Sequence, residues 1–566
     1  MKYFFNKNYL IFFFVFILFL SNNAHSKIKY SKEDISNYFI GIVSANQDSV
    51  STAFKHLNNV EYLKNKHTNF NIEFIRTLVL LEKFDEAFTF SKNVWKADQF
   101  FFEADILLGL DALLKKDYIN AEKHFSRLNS TSRQDLIFEN FLRGSLLSWV
   151  HASKNEQDNS FMHLNKIPGR YYNLKNIQDS FLHCYFDTSK VLSSFKKLFS
   201  EEKYSFSRYN FFLINYLIHK NEKNEAIKVI TTSRKKYNQN LLLKQSENFI
   251  FKDNETKIKN FFNCKKVEDN IAEIFYIIAN LYSTEQNYQL SNFYLKLSFL
   301  LNEKFYPNKT LLAENLFYQK KYDLSKKTYK SIKFIGPIYS WHASKSISTI
   351  LLITDNTEKS ISYLDKQFKK IKNPNFEHYY DLANFYKDNE FYKESIEYYS
   401  LALKNIKKNH SLVPKILDRR GTSYERIGEW DKAEKDLNES LKILPDQPYV
   451  LNYLAYSWIE KKINIDEALE MLTKAMKLKE NDGYIIDSLG WAYFATKNYI
   501  NAEKYLRRAV ELMPMDPVIN DHYADALWML KKNIQARYFW KHVLSLDKTE
   551  EELRENINNK LIFGIN

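Results

Sequence analysis

The chain has 566 residues, 45% of them hydrophobic and 16% aromatic, with only 10 Gly and 9 Pro. That length can bury a sizeable core, and the scarcity of Gly and Pro predicts an all-α chain with few elaborate loops while excluding the common Gly-rich phosphate loops. The formal charge of +14 accompanies an abundance of Lys, Asn, Ile, Phe and Tyr, the mark of an AT-rich genome, so it does not by itself name a partner.

Residues 1–26 have the layout of a secretory signal peptide. Lys2 and Lys7 form a positive n-region, Leu10 to Leu20 is an unbroken apolar run of 11 residues, and Ala24-His25-Ser26 sets small residues at a cleavage site. The run is short of the ~20 residues a membrane-spanning helix needs. Cleavage and a periplasmic location are the expectation, with an uncleaved anchor facing the periplasm as the alternative.

Beyond the leader the chain repeats with a code of residue sizes. Ile40-Gly41 is followed by Ala53; Phe74 by Ala87; Leu108-Gly109 by Ala121 and Phe125, the three units separated by an unchanged 34-residue step. Leu147 with Ser160 and Leu164 is a fourth unit, residues 171–200 read as a shortened helical pair, and Leu213 with Ala226 and Ile230 is clear again. Residues 236–265 are helical but off pattern. The register returns at Ile278-Ala279 with Ser291, Leu312-Ala313 with Ser325, Ile347-Ser348 with Ser360 and Leu382-Ala383 with Ser395. The best copies come last: Arg420-Gly421 with Ala433, Leu454-Ala455 with Ala468, Leu489-Gly490 with Ala502, and Tyr523-Ala524 with Ala536. An acidic tail, Thr549 to Leu561, reads as a helix capping the last apolar face.

The spacing has a physical reading. Ile486, Leu489 and Tyr493 share one face of a first helix, Ala502, Leu506 and Ala509 one face of a second, and Thr496, Lys497 and Asn498 turn between them. Antiparallel helices need small residues where their axes come closest and large ones beside them. Pro445 and Pro514 close repeats while Pro414, Pro448 and Pro517 open them, as expected of a residue confined to helix edges.

This pattern resembles the tetratricopeptide repeat (TPR) family, with Ile486 and Leu506 standing where the family usually has Trp and Phe. The resemblance implies an all-α, right-handed α-solenoid of tandem helix-turn-helix repeats. It divides the chain into N-terminal repeats (27–235), an irregular connector (236–265), central degenerate repeats (266–410), well-matched repeats (411–547) and a capping helix and tail (548–566). Cys184 and Cys264 lie 80 residues apart, more than two repeats. Stacked helices about 8–10 Å apart would not bring their Cα atoms within about 7 Å, so two buried free thiols are expected.

In that family the first helices line a concave groove, exposing positions two before and two after the equivalent of Leu489. In the last units these are Asp418, Thr422, Asn452, Tyr456, Asp487, Trp491, Asp521 and Asp525, flanked by Tyr449, Tyr484 and Trp528. The expectation is an acidic, aromatic strip with solvent-facing Asp residues that holds a protein or peptide segment carrying Lys or Arg. Whether Trp491 and Trp528 bind a ligand or pack between repeats is open at this stage. No catalytic residue, metal ligand set or cofactor motif is found. His183-Cys184 and Asp521-His522 are neighbours that point about 100° apart on a helix. Residues 411–547 carry 20 Lys+Arg and 21 Asp+Glu, so the positive excess lies elsewhere and suits peripheral association with an anionic membrane face or an acidic partner, unless it reflects only the AT-rich composition. The functional expectation is a non-catalytic interaction scaffold exported to the periplasm, in envelope assembly or maintenance. The alternatives are a helical-repeat RNA-binding protein, against which the leader and acidic groove weigh, or a membrane-anchored assembly factor.

Overall fold

The small residue of each repeat sits where two helices touch. Ala53, Ala87, Ala121, Ser160, Ala226, Ser291, Ser325, Ser360, Ser395, Ala433, Ala468, Ala502 and Ala536 are all fully buried. Where the residue is Ser, its hydroxyl needs an acceptor: Ser291 Oγ donates to the Ala279 carbonyl and Ser325 Oγ to the Ala313 carbonyl, both at 2.7 Å. The glycines mark the facing helix. A Cβ on Gly490 would lie 2.6 Å from Leu506, on Gly41 2.5 Å from Leu57 and on Gly109 2.3 Å from Phe125. Arg420 stands where other units place an apolar residue, and its guanidinium is satisfied by Asp436 at 2.7 and 2.9 Å.

This computed structural model describes residues 30–65, 67–96, 100–128, 138–200, 208–236 and 240–565. The predicted leader and its Ala24-His25-Ser26 cleavage site lie outside them. Among the described residues the chain forms 31 helices and no strand, an all-α helical-repeat solenoid. No helix there is long and apolar enough to cross a membrane. The chain divides into two compact units between Thr354 and Asp355, within the block assigned above to central repeats.

In the first unit, hairpins such as Thr68–Leu80 with Phe84–Lys96 and Phe102–Leu114 with Tyr118–Ser126 follow the repeat. The later helices Val267–Thr284 and Tyr288–Leu301 then pack back onto Glu139–Ser153 and Thr68–Leu80. Polar contacts fix the return. Gln289 Nε2 donates to the Ala45 carbonyl at 3.0 Å, Gln319 Nε2 to Asp48 at 2.6 Å, and Lys296 pairs with Glu82 at 2.5 Å. Every residue from Phe102 to Leu113 is buried. The charges enclosed there are paired: Arg76 with Glu103 at 2.6 Å, and Arg208 with Glu273.

The expectation of two free thiols is wrong. Cys184 and Cys264 form a disulfide with Cα atoms 6.0 Å apart. The expectation counted distance along a regular stack, but the short helices of 191–261 return the chain against Tyr172–Phe186. Phe181 meets Phe212 and Phe262 with ring centroids 4.9 and 5.5 Å apart, and Lys265 Nζ donates to the Tyr185 carbonyl at 2.7 Å.

The second unit is a plain stack from Thr357–Phe368 to Asn533–Ser545, in which each helix packs chiefly on the next and the next but one. Asp482 and Asp516 cap the helices Gly483–Ala495 and Pro517–Met529, each accepting from two backbone N–H groups. The predicted cap is the helix Glu551–Phe563, which packs on Asn533–Ser545 and buries Ile557.

Candidate functional site

The first helices of the well-matched repeats are Val413–Arg426, Pro448–Lys461, Gly483–Ala495 and Pro517–Met529. Their nominated side chains fall into three groups. Tyr449 and Tyr484 stand at the helix starts, 60% and 55% exposed. Each hydroxyl reaches the Asp that caps the next first helix, Asp482 and Asp516, which raises both phenol pKa values. They form a ladder along the repeat edge.

The second group surrounds Trp491. Its indole stacks on Phe494 at 4.7 Å and on His522 at 4.0 Å, and its N–H donates to Glu460 at 2.7 Å. Tyr456 is half-buried; burial first, then the Glu460 carboxylate, pushes its phenol well above the ordinary range. Asn452, in the turn before, is half-buried with an unpartnered Oδ1. Asp487 is not solvent-facing. It is buried, both its oxygens 3.0 Å from His522 Nδ1. Burial alone would lower the His522 pKa, but the Asp487 charge and hydrogen bond outweigh it and raise it.

The third group belongs to the cap. Asp521 and Asp525, also expected at the surface, are buried beneath Lys560 of the C-terminal helix. The Lys560 ammonium lies 2.7–2.9 Å from all four carboxylate oxygens, and Asp525 also accepts from the Trp540 indole at 3.0 Å. One ammonium cannot neutralise two carboxylates. Burial, then the Asp521 charge, raises the Asp525 carboxyl to about 7. Trp528 packs on Trp540 and donates to the Ile565 carbonyl at 3.0 Å. Gly564 is required there twice over: its φ is +74°, and a Cβ would lie 2.0 Å from the Trp528 ring. Both tryptophans therefore pack between elements, Trp491 between repeats and Trp528 under the tail.

The strip divides accordingly. Asp521, Asp525 and Trp528 are consumed by the chain's own tail. The residues of the strip left at least partly accessible are Asn452, Tyr456, Trp491 and Glu460, with Asp418 and Thr422 half-buried on the preceding repeat. Asp418 is raised by burial, partly offset by Arg419. Glu460, His522 and Lys560 were missed by spacing alone. Glu460 lies one turn beyond Tyr456 on the same face, a signal present in the sequence; Lys560 sits in a helix outside the period. Asp521 and His522 diverge as their adjacency requires, one to Lys560 and the other to Asp487. Among the described residues no group of three or more His, Cys, Asp or Glu could hold a metal ion.

The family model for the tetratricopeptide repeat matches residues 486–514, the hairpin with Gly490 against Leu506. That hairpin is a tetratricopeptide repeat. A TPR repeat-containing protein of Pseudomonas aeruginosa is 33% identical over 99 residues, covering 18% of this chain and 17% of that protein. Among solved structures, a tetratricopeptide repeat protein from Parabacteroides merdae is 22% identical with a TM-score of 0.33, covering 39% of this chain and 86% of its own. MamA from Desulfovibrio magneticus is 16% identical with a TM-score of 0.28, covering 32% and 99%. A thermophilic TPR protein of Thermus thermophilus is 16% identical with a TM-score of 0.29, covering 33% and 100%. Proteins built from TPR repeats are generally non-catalytic scaffolds that bind other proteins.

Proposed function

We propose that the protein is an exported interaction scaffold whose second unit holds a partner polypeptide on the concave face around Tyr456, Glu460 and Trp491. The observation that carries this reading is the accessibility of that face in a stack whose end is otherwise closed by its own tail. Tyr456 and Trp491 offer rigid aromatic area, held in place by Glu460 and His522. Glu460 is exposed and carries the available charge, which selects a segment bearing Lys or Arg. The tail shows a related chemistry within the chain, since Lys560 pairs with Asp521 and Asp525, which occupy the positions of Asp487 and Trp491 one repeat later.

Export to the periplasm is part of the proposal. The n-region, the apolar run and Ala24-His25-Ser26 support it, and so does the disulfide, because such bonds persist in oxidising compartments. N-terminal sequencing of the protein recovered from cells should begin at or near Lys27; a full-length chain retained in the membrane would contradict cleavage. The binding claim is tested by capture from an envelope extract with the wild-type chain and with Glu460→Lys and Tyr456→Ala variants. Both variants should remain folded, so loss of the captured partner with unchanged melting supports the site, and undiminished capture sinks it.

A further inference from the structure

The first unit contains a cavity of about 840 Å³ between the turn that follows Lys32–Asn46, the end of Thr68–Leu80, and the returning helices Tyr288–Leu301, Pro307–Tyr318 and Tyr322–Ile332. Ligand pockets run from about 300 to 1,000 Å³. Its wall is apolar, with Leu80, Leu295, Phe299, Leu312 and Leu316 facing the space, and Leu324 at the edge 53% exposed. Around this wall stand four lysines and two acids. Both acids are engaged: Glu82 with Lys296 at 2.5 Å, and Asp48 with Gln319 at 2.6 Å, while Lys321 donates to the Asp48 carbonyl at 2.7 Å. Lys309 lies 4.9 Å from the centre of the Phe299 ring, and neither it nor Lys327 has an acidic partner among the described residues. Lys309 thus stands directly beside the apolar wall, its ammonium over the Phe299 ring and, among the described residues, without a carboxylate partner. The contacts that close the first unit also border this space.

We propose that this cavity binds an anionic amphiphile, its acyl chain along Leu295, Phe299, Leu312 and Leu316 and its carboxylate or phosphate head at Lys309 and Lys327. An apolar wall favours the chain because burying it removes both surfaces from water. Two ammonium groups without a carboxylate partner among the lining residues distinguish an anionic head from a neutral one. The site is independent of the concave face of the second unit.

The test uses the purified full chain and a fluorescent polyene fatty acid as probe, displaced in parallel by palmitate, lysophosphatidylglycerol and uncharged monopalmitoylglycerol. Saturable probe binding is expected, with both anionic competitors stronger than the neutral one. Displacement by palmitate alone would identify free fatty acid as the source, and by lysophosphatidylglycerol alone a membrane phospholipid. Lys309→Glu and Lys327→Glu should each weaken binding by about fivefold, the scale of one partly exposed ion pair. Leu312→Trp should fill the cavity and abolish binding. Should that variant fail to fold, Leu324→Trp, at an exposed position, reads the same obstruction. Absence of saturable binding, equal displacement by the neutral competitor, or binding unchanged in a folded Trp variant would overturn the proposal.

Discussion

Two first helices show how one repeat code produces two kinds of surface. Phe102–Leu114 reads FEADILLGLDALL, packs on Tyr118–Ser126, Phe84–Lys96 and Thr68–Leu80, and is buried at every residue from Phe102 to Leu113, while Thr68–Leu80 in turn carries the returning helix Tyr288–Leu301. Pro448–Lys461 reads PYVLNYLAYSWIEK and buries only Val450, Leu451, Leu454, Ala455, Trp458 and Ile459, one stripe of its circumference. Both use the same small residue against the second helix, Ala121 and Ala468. What separates them is the composition of the opposite face. An apolar residue there recruits the chain's own helices, and a polar one leaves the face to a partner. Whether a repeat offers a groove is therefore decided by residues outside the repeat signature.

The strongest way to break this comparison is to charge a position that the second unit has enclosed. Asp521→Lys removes a counter-charge of Lys560 and sets a second ammonium beside it, which should cost about 3–5 kcal/mol. Urea unfolding followed by hydrogen exchange should show the loss in Pro517–Met529 and Glu551–Phe563, with Phe102–Leu114 unmoved. Asp487→Lys should behave in the same way through His522. Glu460→Lys, on the accessible face, should stay within about 0.5 kcal/mol. Equal effects from Asp521→Lys and Glu460→Lys would mean the two faces are not different.

The next effect belongs to the first unit. Cys184→Ser with Cys264→Ser should cost about 2–4 kcal/mol, confined to the elements packed around Phe181, Phe212 and Phe262. A loss that spread equally into Gly483–Leu512 would contradict the division into units.

A smaller effect compares two equivalent glycines. Gly109→Ala would press a methyl into the Phe125 ring and should cost about 1–3 kcal/mol. Gly421→Ala meets Leu437 no closer than 3.1 Å, and the gain in helix propensity of about 1 kcal/mol should leave it nearly neutral. Melting temperatures of the two variants check the difference.

The smallest is a pH dependence at the cap. Asp525 is raised from 3.8 to about 7 in the fold, so the folded state holds a proton the unfolded chain releases. The stability this contributes is fully present below the unfolded value and is lost as pH rises through about 7. His522, also raised, contributes fully below its ordinary 6.5 and loses that contribution as pH climbs through its higher folded value. The last repeats should thus weaken as pH rises from about 4 to about 7 through Asp525 and further above 6.5 through His522, and Asp525→Asn should reduce the slope between about 4 and 7. An unchanged slope would show that Asp525 does not hold the proton.

The hairpins were legible because their determinants are local. Thirteen residues separate the index position from the small residue in every unit except Leu454 to Ala468, where one residue is inserted in the turn, and Ala53 through Ala536 are buried where the repeat places them. The cap was legible because an exposed apolar face at Trp540 needs a cover. The disulfide was not, since nothing near Cys184 or Cys264 announces that the chain turns back. The Asp residues were misplaced for a similar reason. Spacing puts Asp487, Asp521 and Asp525 on the concave side of an ideal stack, but His522 and Lys560 cover them, and Lys560 lies outside the period. A signal for closure of the first unit was present in the all-round apolar character of FEADILLGLDALL and of Tyr209–His219, YNFFLINYLIH.

Hydroxyl-radical footprinting of the folded chain, read by mass spectrometry, tests the contrast most directly. Tyr456, Glu460-containing peptides and Trp491 should be modified readily, while Phe102 to Leu113 and Tyr294 should be protected to the level of Trp540. Modification of Phe102–Leu114 as heavy as that of Pro448–Lys461 would contradict the account, because it would mean that the first unit's inner face is as open as the second's.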